Sequence, residues 1–245
     1  IEYESRNPKP HELIQMGKDL EEALKAGAFG MSSGLIYPPG CYATKEEITE
    51  LCKVVKDFSG LYATHVRNEG DLLEDALTEA IDISKRSGVR LQVSHLKTSG
   101  SRNWHKIKNI KVIIDRAINE GIAITCDRYP YIAAATDLDV ILPNWVYEGG
   151  INEQIQRLKD VNIRKQIAME VSQTENGNSW DGIMISSVYY DKNKWMEGKT
   201  IAEISRELNK PPIETVFDLL IEEDTRVDIF LFSMCEENLE KILGW

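Results

Sequence analysis

The sequence lacks any apolar run close to the roughly 18 residues that a membrane-spanning helix needs. Its first residues show neither the basic segment nor the apolar segment of a signal peptide, so we expect no secretory leader. Its four cysteines form no CxxC pair. We therefore expect reduced thiols and a cytoplasmic protein rather than a disulfide framework.

Positive charge is in deficit. The chain has 29 Lys and Arg residues against 40 Asp and Glu residues, which gives a net charge of −11. An acidic surface repels phosphate backbones and anionic lipids, so neither nucleic acid nor a membrane is an expected partner. The remaining composition, 42% hydrophobic and 28% charged over 245 residues, is that of a globular protein with one large domain or two small ones.

Short apolar segments alternate with helical patterns in the first half of the chain. Four segments about 30 residues apart are predicted strands: Ala28–Gly34, Leu61–Val66, Arg90–Leu96 and Ala123–Tyr129. Between them lie helical periods, such as Lys45–Phe58 with Thr44 as its N-cap. This order predicts an α/β fold with a parallel sheet, as part of a (β/α)8 TIM barrel of about four consecutive βα units. A doubly wound sheet is the alternative.

The pattern changes after residue 137. We interpret residues 1–137 as the middle βα units of a barrel, 138–228 as an α/β insertion or lid, and 229–245 as a return toward the barrel. One long helix is predicted over Asn152–Thr174. A closed barrel needs about 250 residues, so we expect this chain to be an internal piece of a longer protein. Its open sheet edge would then be covered by a homo-oligomer or by further segments of the chain.

Two of the four histidines occupy matching places. His65 and His95 end successive predicted strands, and each is followed two residues later by a cation, Arg67 or Lys97. Strand alternation predicts that each histidine shares an otherwise apolar face, with Leu61 and Ala63 or with Leu91 and Val93. Two imidazoles at one level of a barrel can share a metal ion, although a structural hydrogen bond is an equal alternative. Asp127, at the end of the fourth strand, could be a ligand, a base or a residue that holds a loop.

Five segments together resemble the N-acyl-D-amino-acid deacylases, also called D-aminoacylases, of the amidohydrolase superfamily. They are residues 27–40 (GAFGMSSGLIYPPG), 62–70 (YATHVRNEG), 94–97 (SHLK), 103–104 (NW) and 127–131 (DRYPY). The resemblance implies a (β/α)8 barrel with a zinc centre. It also implies hydrolysis of a small-molecule N-acyl-D-amino acid to a carboxylate and the free D-amino acid.

The same resemblance implies roles for individual residues. His65 and His95 match two zinc ligands, Lys97 and Tyr129 match positions that hold the substrate carboxylate, and Arg67 is a further substrate-binding candidate. The family's HxH pair and metal-bridging cysteine would precede this sequence, and its catalytic aspartate would follow Trp245. We therefore expect no catalytic residue within the chain, weak zinc binding and no activity of the isolated piece.

Two other functions remain open from the sequence. A dihydroorotase-like cyclic amidohydrolase would share the barrel and the metal, but the runs SSGLIYPPG and THVRNEG favour the deacylases. A non-catalytic α/β binding or oligomerisation module would need neither the missing aspartate nor a metal.

Overall fold

The computed structural model describes residues 2–173 and 180–245. Among these residues, no helix is both long enough and apolar enough to cross a membrane. The strands are β1 Gly30–Gly34, β2 Leu61–His65, β3 Arg90–Val93, β4 Ile124–Cys126, β5 Ala133–Asp137, β6 Ile183–Val188 and β7 Val227–Phe232. The α-helices are α1 Pro10–Lys25, α2 Lys45–Asp57, α3 Leu73–Ser87, α4 Ile107–Asn119, α5 Ile151–Lys159, α6 Val161–Gln173, α7 Ile201–Leu208, α8 Pro212–Glu222 and α9 Glu236–Leu243.

The chain divides into two compact units. The first contains the residues up to Thr98, Asn103–Pro130 and Glu240–Trp245, and the second contains Ser99–Arg102 and Tyr131–Leu239. The first unit holds a four-stranded parallel sheet in the order β1-β2-β3-β4. This confirms the predicted α/β class and its run of βα units, although the described strands do not close into a barrel. The interpretation of residues 138–228 as an insertion or lid stays a prediction.

One face of the parallel sheet carries the core of the first unit. The register aligns Met31, Tyr62, Leu91 and Ile124 across the four strands. Tyr62 and Leu91 are fully buried, in one apolar cluster with residues of α2, α3 and α4. The opposite face is lined by small or polar side chains at Ser32, Ala63, Gln92 and Thr125. This one-sided core fixes the register, because a slip of one residue would exchange the two faces.

Local signals place most element ends as predicted. The Thr44 hydroxyl accepts the N–H of Glu47 at 3.2 Å at the start of α2, and Gly88 ends α3 with a left-handed φ of 74°. Two predicted strands are too long, because β3 ends at Val93 and β4 at Cys126. Two further elements, α1 and β5, were not predicted from the sequence.

The second unit is built on an antiparallel sheet in the order β5-β7-β6. The single long helix predicted over residues 152–174 is wrong, because the described part of this segment forms two helices that meet at Asp160. The Asp160 carboxylate accepts the N–H groups of Asn162 and Ile163, at 2.8 and 3.1 Å, and so starts α6. Thr174, the predicted last residue, lies outside the described residues. A capping box of Thr200 and Glu203 starts α7.

Asp139 is a partly buried carboxyl group in the 3-10 turn after β5. Its Oδ2 atom accepts a hydrogen bond from Nε2 of Gln154 at 3.0 Å. Burial raises the pKa of Asp139 to about 6; the hydrogen bond from Gln154 lowers it, and the charge of Asp137 raises it further. The folded chain therefore binds this proton more tightly than the unfolded chain, where the pKa of an aspartate is about 3.9. The stability that comes from this proton is lost as the pH rises from about 4 to about 6.

We predict that Asp139→Asn removes this loss of stability, because the amide stays neutral and still accepts from Gln154. As the pH rises from 4 to 6.5, the free energy of unfolding of the wild type should fall relative to that of the variant by up to about 3 kcal/mol. Urea unfolding across this pH range measures the difference. Asp115→Asn, on the exposed side of α4 in an ion pair with Lys111, is the matched control. Parallel pH profiles of the Asp139→Asn variant and the wild type would contradict the prediction.

Candidate metal centre

His65 is the last residue of β2 and lies opposite Gly34 of β1. Its ring contacts two other rings in edge-on geometry, with centroid distances of 5.0 Å to Tyr37 and 4.5 Å to His95. The Nε2 atom of His65 is buried and has no hydrogen-bond partner among the described residues. A buried polar atom of this kind is costly unless a ligand completes it.

His95 reaches His65 by a route that differs from the predicted one. The register pairs Leu91 with Tyr62 and Val93 with Thr64, which places Leu91 and Val93 on the helix-covered face and not on the face of His65. The prediction that strand alternation aligns the two histidines is therefore wrong. β3 ends at Val93, and His95 has a φ of +39°, so the chain turns and brings its ring beside that of His65.

Glu69 lies between the two histidines and was not predicted from the sequence as part of this site. Its Oε1 atom lies 3.4 Å from Nε2 of His65 and 3.3 Å from Nδ1 of His95. It also accepts a short hydrogen bond from the ammonium group of Lys97. Glu69 stands four residues after His65, within the run THVRNEG, and this spacing from a strand-end histidine was the available signal.

Lys97 completes the group with a cation that is almost removed from solvent, since only 3% of its side chain is exposed. Its Nζ atom lies 2.9 Å from Nδ1 of His95 and 5.7 Å from the centroid of the Tyr129 ring. Burial lowers the pKa of Lys97, and the negative charge of Glu69 opposes that change.

The environment sets the charges of this group. Burial lowers the pKa of His65 to about 4, against the opposing charge of Glu69. Burial also disfavours the Glu69 carboxylate, but the charge of Lys97 and the hydrogen bond from His95 outweigh it, so the pKa of Glu69 is about 2. At neutral pH the pair therefore offers a neutral imidazole and a carboxylate, which are the states in which both bind metal ions.

The residues present fit a divalent ion. His65, Glu69 and His95 each offer a ligand atom within 4.8 Å of the other two, and no other such group of three occurs in the described part of the chain. Imidazole nitrogen and carboxylate oxygen are both zinc donors, and three protein donors with one open position are typical of catalytic zinc. The unpartnered Nε2 atom of His65 points to the same conclusion.

Of the two other substrate-binding candidates, Tyr129 lies near the histidines and Arg67 is bound to other groups. The ring centroid of Tyr129 is 6.3 Å from that of His95, and the Arg128 guanidinium lies 4.2 Å from the centroid of the Tyr129 ring. Arg67 stands apart from the group. Its guanidinium binds the carboxylate of Glu79 and the carbonyl oxygens of residues 41 and 43, at 2.8–2.9 Å for the shortest contacts.

Asp127 is outside the group of possible metal ligands. One oxygen of its carboxylate accepts the backbone N–H of His95 at 2.7 Å, and the other accepts Nε2 of Gln92 at 2.6 Å. Of the three roles open from the sequence, these bonds favour the one in which Asp127 holds a loop.

Several known proteins that are similar to this chain in sequence or fold are named as deacylases of N-acyl-D-amino acids. A D-aminoacylase of Alcaligenes xylosoxydans xylosoxydans is 37% identical over 127 residues, which are 52% of this chain and 26% of that protein. The crystal structure of N-acyl-D-glutamate deacylase from Bordetella bronchiseptica, complexed with zinc and a phosphonate inhibitor, matches 98% of this chain and 42% of its own, with a TM-score of 0.76 and 25% identity. A crystal structure of D-aminoacylase, described as defining a novel subset of amidohydrolases, matches the same shares with a TM-score of 0.72 and 25% identity.

The chain spans about a quarter of the length of the curated relative that it matches, 26%. No family model matches it. The sequence identity and the shared fold nevertheless point to the same proteins as the five sequence segments. They confirm that this chain resembles, as a partial segment, the N-acyl-D-amino-acid deacylases of the amidohydrolase superfamily.

Proposed function

We propose that the chain is the metal-holding segment of a zinc-dependent hydrolase that converts N-acyl-D-amino acids to a carboxylate and the free D-amino acid. The observation that carries the proposal is the convergence of His65, Glu69 and His95 around a buried, unpartnered imidazole nitrogen. The names of the relatives, which are deacylases of D-amino acids, supply the substrate class.

His65 and His95 would hold the zinc ion, and Glu69 is within reach of both as a third donor. Zinc in such a site activates water and polarises the scissile carbonyl. The contribution of this chain is to keep the His65 imidazole neutral by burial and to keep the Glu69 carboxylate ionised beside Lys97.

Substrate recognition would fall to the cation next to the metal ligands. Lys97 suits the α-carboxylate of the substrate, because its ammonium group is buried beside the histidines, where it would bind an anion strongly. The ammonium group has three N–H donors, so it could bind the substrate while it keeps its contacts with Glu69 and His95. Tyr129 borders the same ammonium group. Arg67 would contact substrate only by releasing Glu79 or a backbone carbonyl, so its contribution is the weakest of the three.

The group that carries the proton to the leaving nitrogen would come from outside these residues. The two oxygens of the Asp127 carboxylate accept from His95 and Gln92, and Glu69 is paired with Lys97. Amide hydrolysis needs such a proton carrier. We therefore infer that the 245-residue chain alone has no deacylase activity.

The expected partner is a small molecule. A net charge of −11 disfavours nucleic acid and anionic membranes. A cytoplasmic location belongs to the same proposal and is supported by the four cysteines, all of which are free. Self-association of the chain through its sheet edge is also part of it.

We predict that the isolated chain binds one zinc ion and that His65→Ala or His95→Ala weakens this binding at least tenfold. Loss of a residue that only supports a ligand typically costs 10–100-fold in affinity, and loss of a ligand should cost no less. Competition with a chromophoric chelator measures the dissociation constants. His105→Ala removes an exposed histidine that is not in the group of possible metal ligands and is the matched control. Equal zinc affinity of all four proteins would refute the proposed metal site.

We further predict that Lys97→Ala in the full-length gene product raises KM for an N-acetyl-D-amino acid by about 10–100-fold, the effect of losing one hydrogen bond to a charged group. The kcat should stay near that of the wild type, because the lost contact is made equally in the ground state and the transition state. Zinc content should also stay near that of the wild type, because the bound divalent ion would supply the positive charge that Lys97 otherwise provides beside Glu69. Steady-state kinetics with metal analysis test this. Lys85→Ala, an exposed lysine paired with Glu120, is the control. An unchanged KM, or loss of zinc, would show that Lys97 has another role.

A further inference from the structure

The backbone at His95 is the unusual feature of the candidate metal centre. A positive φ is uncommon for a residue other than glycine, and His95 has a φ of +39° directly after β3. The two preceding residues still follow the sheet, since Val93 pairs with Thr64 and the N–H of Ser94 donates to the carbonyl oxygen of Thr64 at 3.0 Å. Something must therefore hold His95 away from the extended conformation.

Asp127 supplies that restraint from the neighbouring strand end. Its backbone N–H donates to the carbonyl oxygen of Val93 at 3.2 Å, and its own carbonyl oxygen accepts the N–H of Leu96 at 2.9 Å. Between these two bonds the backbone N–H of His95 finds no carbonyl partner and donates instead to Oδ1 of Asp127 at 2.7 Å. The side chain thus takes the place of one acceptor in the ladder between the strands.

The carboxylate is itself fixed from the other side. Its Oδ2 atom accepts Nε2 of Gln92 at 2.6 Å, and the Oε1 atom of Gln92 accepts the hydroxyl of Thr125. Gln92 and Thr125 are register partners on the face opposite the core. The orientation of the Asp127 carboxylate is therefore restrained by β3 and β4 in addition to its bond with His95.

We propose, on the basis of the proposed zinc-binding function, that Asp127 is the positioning residue of this centre. Its Oδ1 atom holds the left-handed turn that brings the His95 ring to 4.5 Å from the His65 ring. Continued strand alternation would carry the ring to the helix-covered face, away from His65. This role requires an acceptor atom at the position of Oδ1, and a neutral amide oxygen at the same place can also accept a backbone N–H.

The test uses zinc affinity of the 245-residue chain, measured by chelator competition, for four variants beside the wild type. Asp127→Ala should weaken binding 10–100-fold, the usual cost of losing a group that orients a metal ligand. Asp127→Asn should stay within about threefold of the wild type, because its amide oxygen still accepts from His95 and the Gln92 amide can rotate to meet the new NH2 group. Gln92→Ala removes the other partner of the same carboxylate but leaves Oδ1 to accept from His95, so it should weaken binding less than Asp127→Ala. His65→Ala reports on the metal site alone.

A second measurement does not depend on metal. In chain labelled with 15N-histidine, the backbone amide of His95, identified by its loss in His95→Ala, should exchange slowly with solvent in the wild type and in Asp127→Asn. The same amide should exchange fast in Asp127→Ala. This readout remains valid if partial unfolding disturbs the zinc titration of Asp127→Ala, because the exchange rate of the His95 amide can be compared with that of the labelled His65 amide at the end of β2.

The outcomes separate the two proposals. Equal zinc affinity of the wild type and His65→Ala would refute the metal site, whatever Asp127 does. Strong loss in His65→Ala together with wild-type affinity in Asp127→Ala would refute the positioning role alone. Asp127→Asn as weak as Asp127→Ala would also overturn it, because charge rather than the hydrogen-bond acceptor would then be the essential property.

Discussion

The alignment of parallel strands is the constraint on which the candidate metal centre depends. In a parallel sheet the carboxyl ends of neighbouring strands meet at one edge, and the register places β2, β3 and β4 so that they end close together. Each of these strand ends then contributes a short segment: residues 65–69, 95–97 and 127–129. Side chains that are some 30 residues apart in sequence come within hydrogen-bond distance as a result.

The register in turn rests on a core that covers only one face of the sheet. Tyr62 and Leu91 are fully buried on that face, whereas the aligned residues of the other face are small or polar. A slip of one residue would move His65 to the helix side and bury a polar group among apolar side chains. Apolar packing and the geometry of the imidazoles are therefore secured by the same pairing of strands.

Prediction from the sequence succeeded where one local signal decides the structure. Apolar runs identified the parallel strands and Thr44 marked the start of a helix, because each of these signals acts within a few residues. It failed at His95, since the bond that turns the chain there comes from Asp127, 32 positions away. It failed at Asp160 because an aspartate fits both a helix interior and an N-cap.

Glu69 escaped prediction for a related reason. Its partners His65, His95 and Lys97 come from two strand ends, and nothing in its own neighbours indicates burial. A buried carboxylate is stable only with compensating charges and donors. Glu69 has the ammonium group of Lys97 and the neutral imidazole of His65 beside it, so the charges of the carboxylate and the ammonium group balance. A divalent ion added to this group would leave a net positive charge, which suits a substrate that carries a carboxylate.

The hydrogen bonds of Arg67 limit how the loop between β1 and α2 can change. Its guanidinium binds the backbone carbonyl groups of Cys41 and Ala43 and, on its other side, the carboxylate of Glu79 in α3. Because Arg67 binds the backbone carbonyl groups of Cys41 and Ala43, the side chains of these two residues can change without loss of the hydrogen bonds. The number of residues between them cannot. The loop that carries Tyr37 to the His65 ring should therefore tolerate substitutions at positions 41 and 43 and resist insertions or deletions between them.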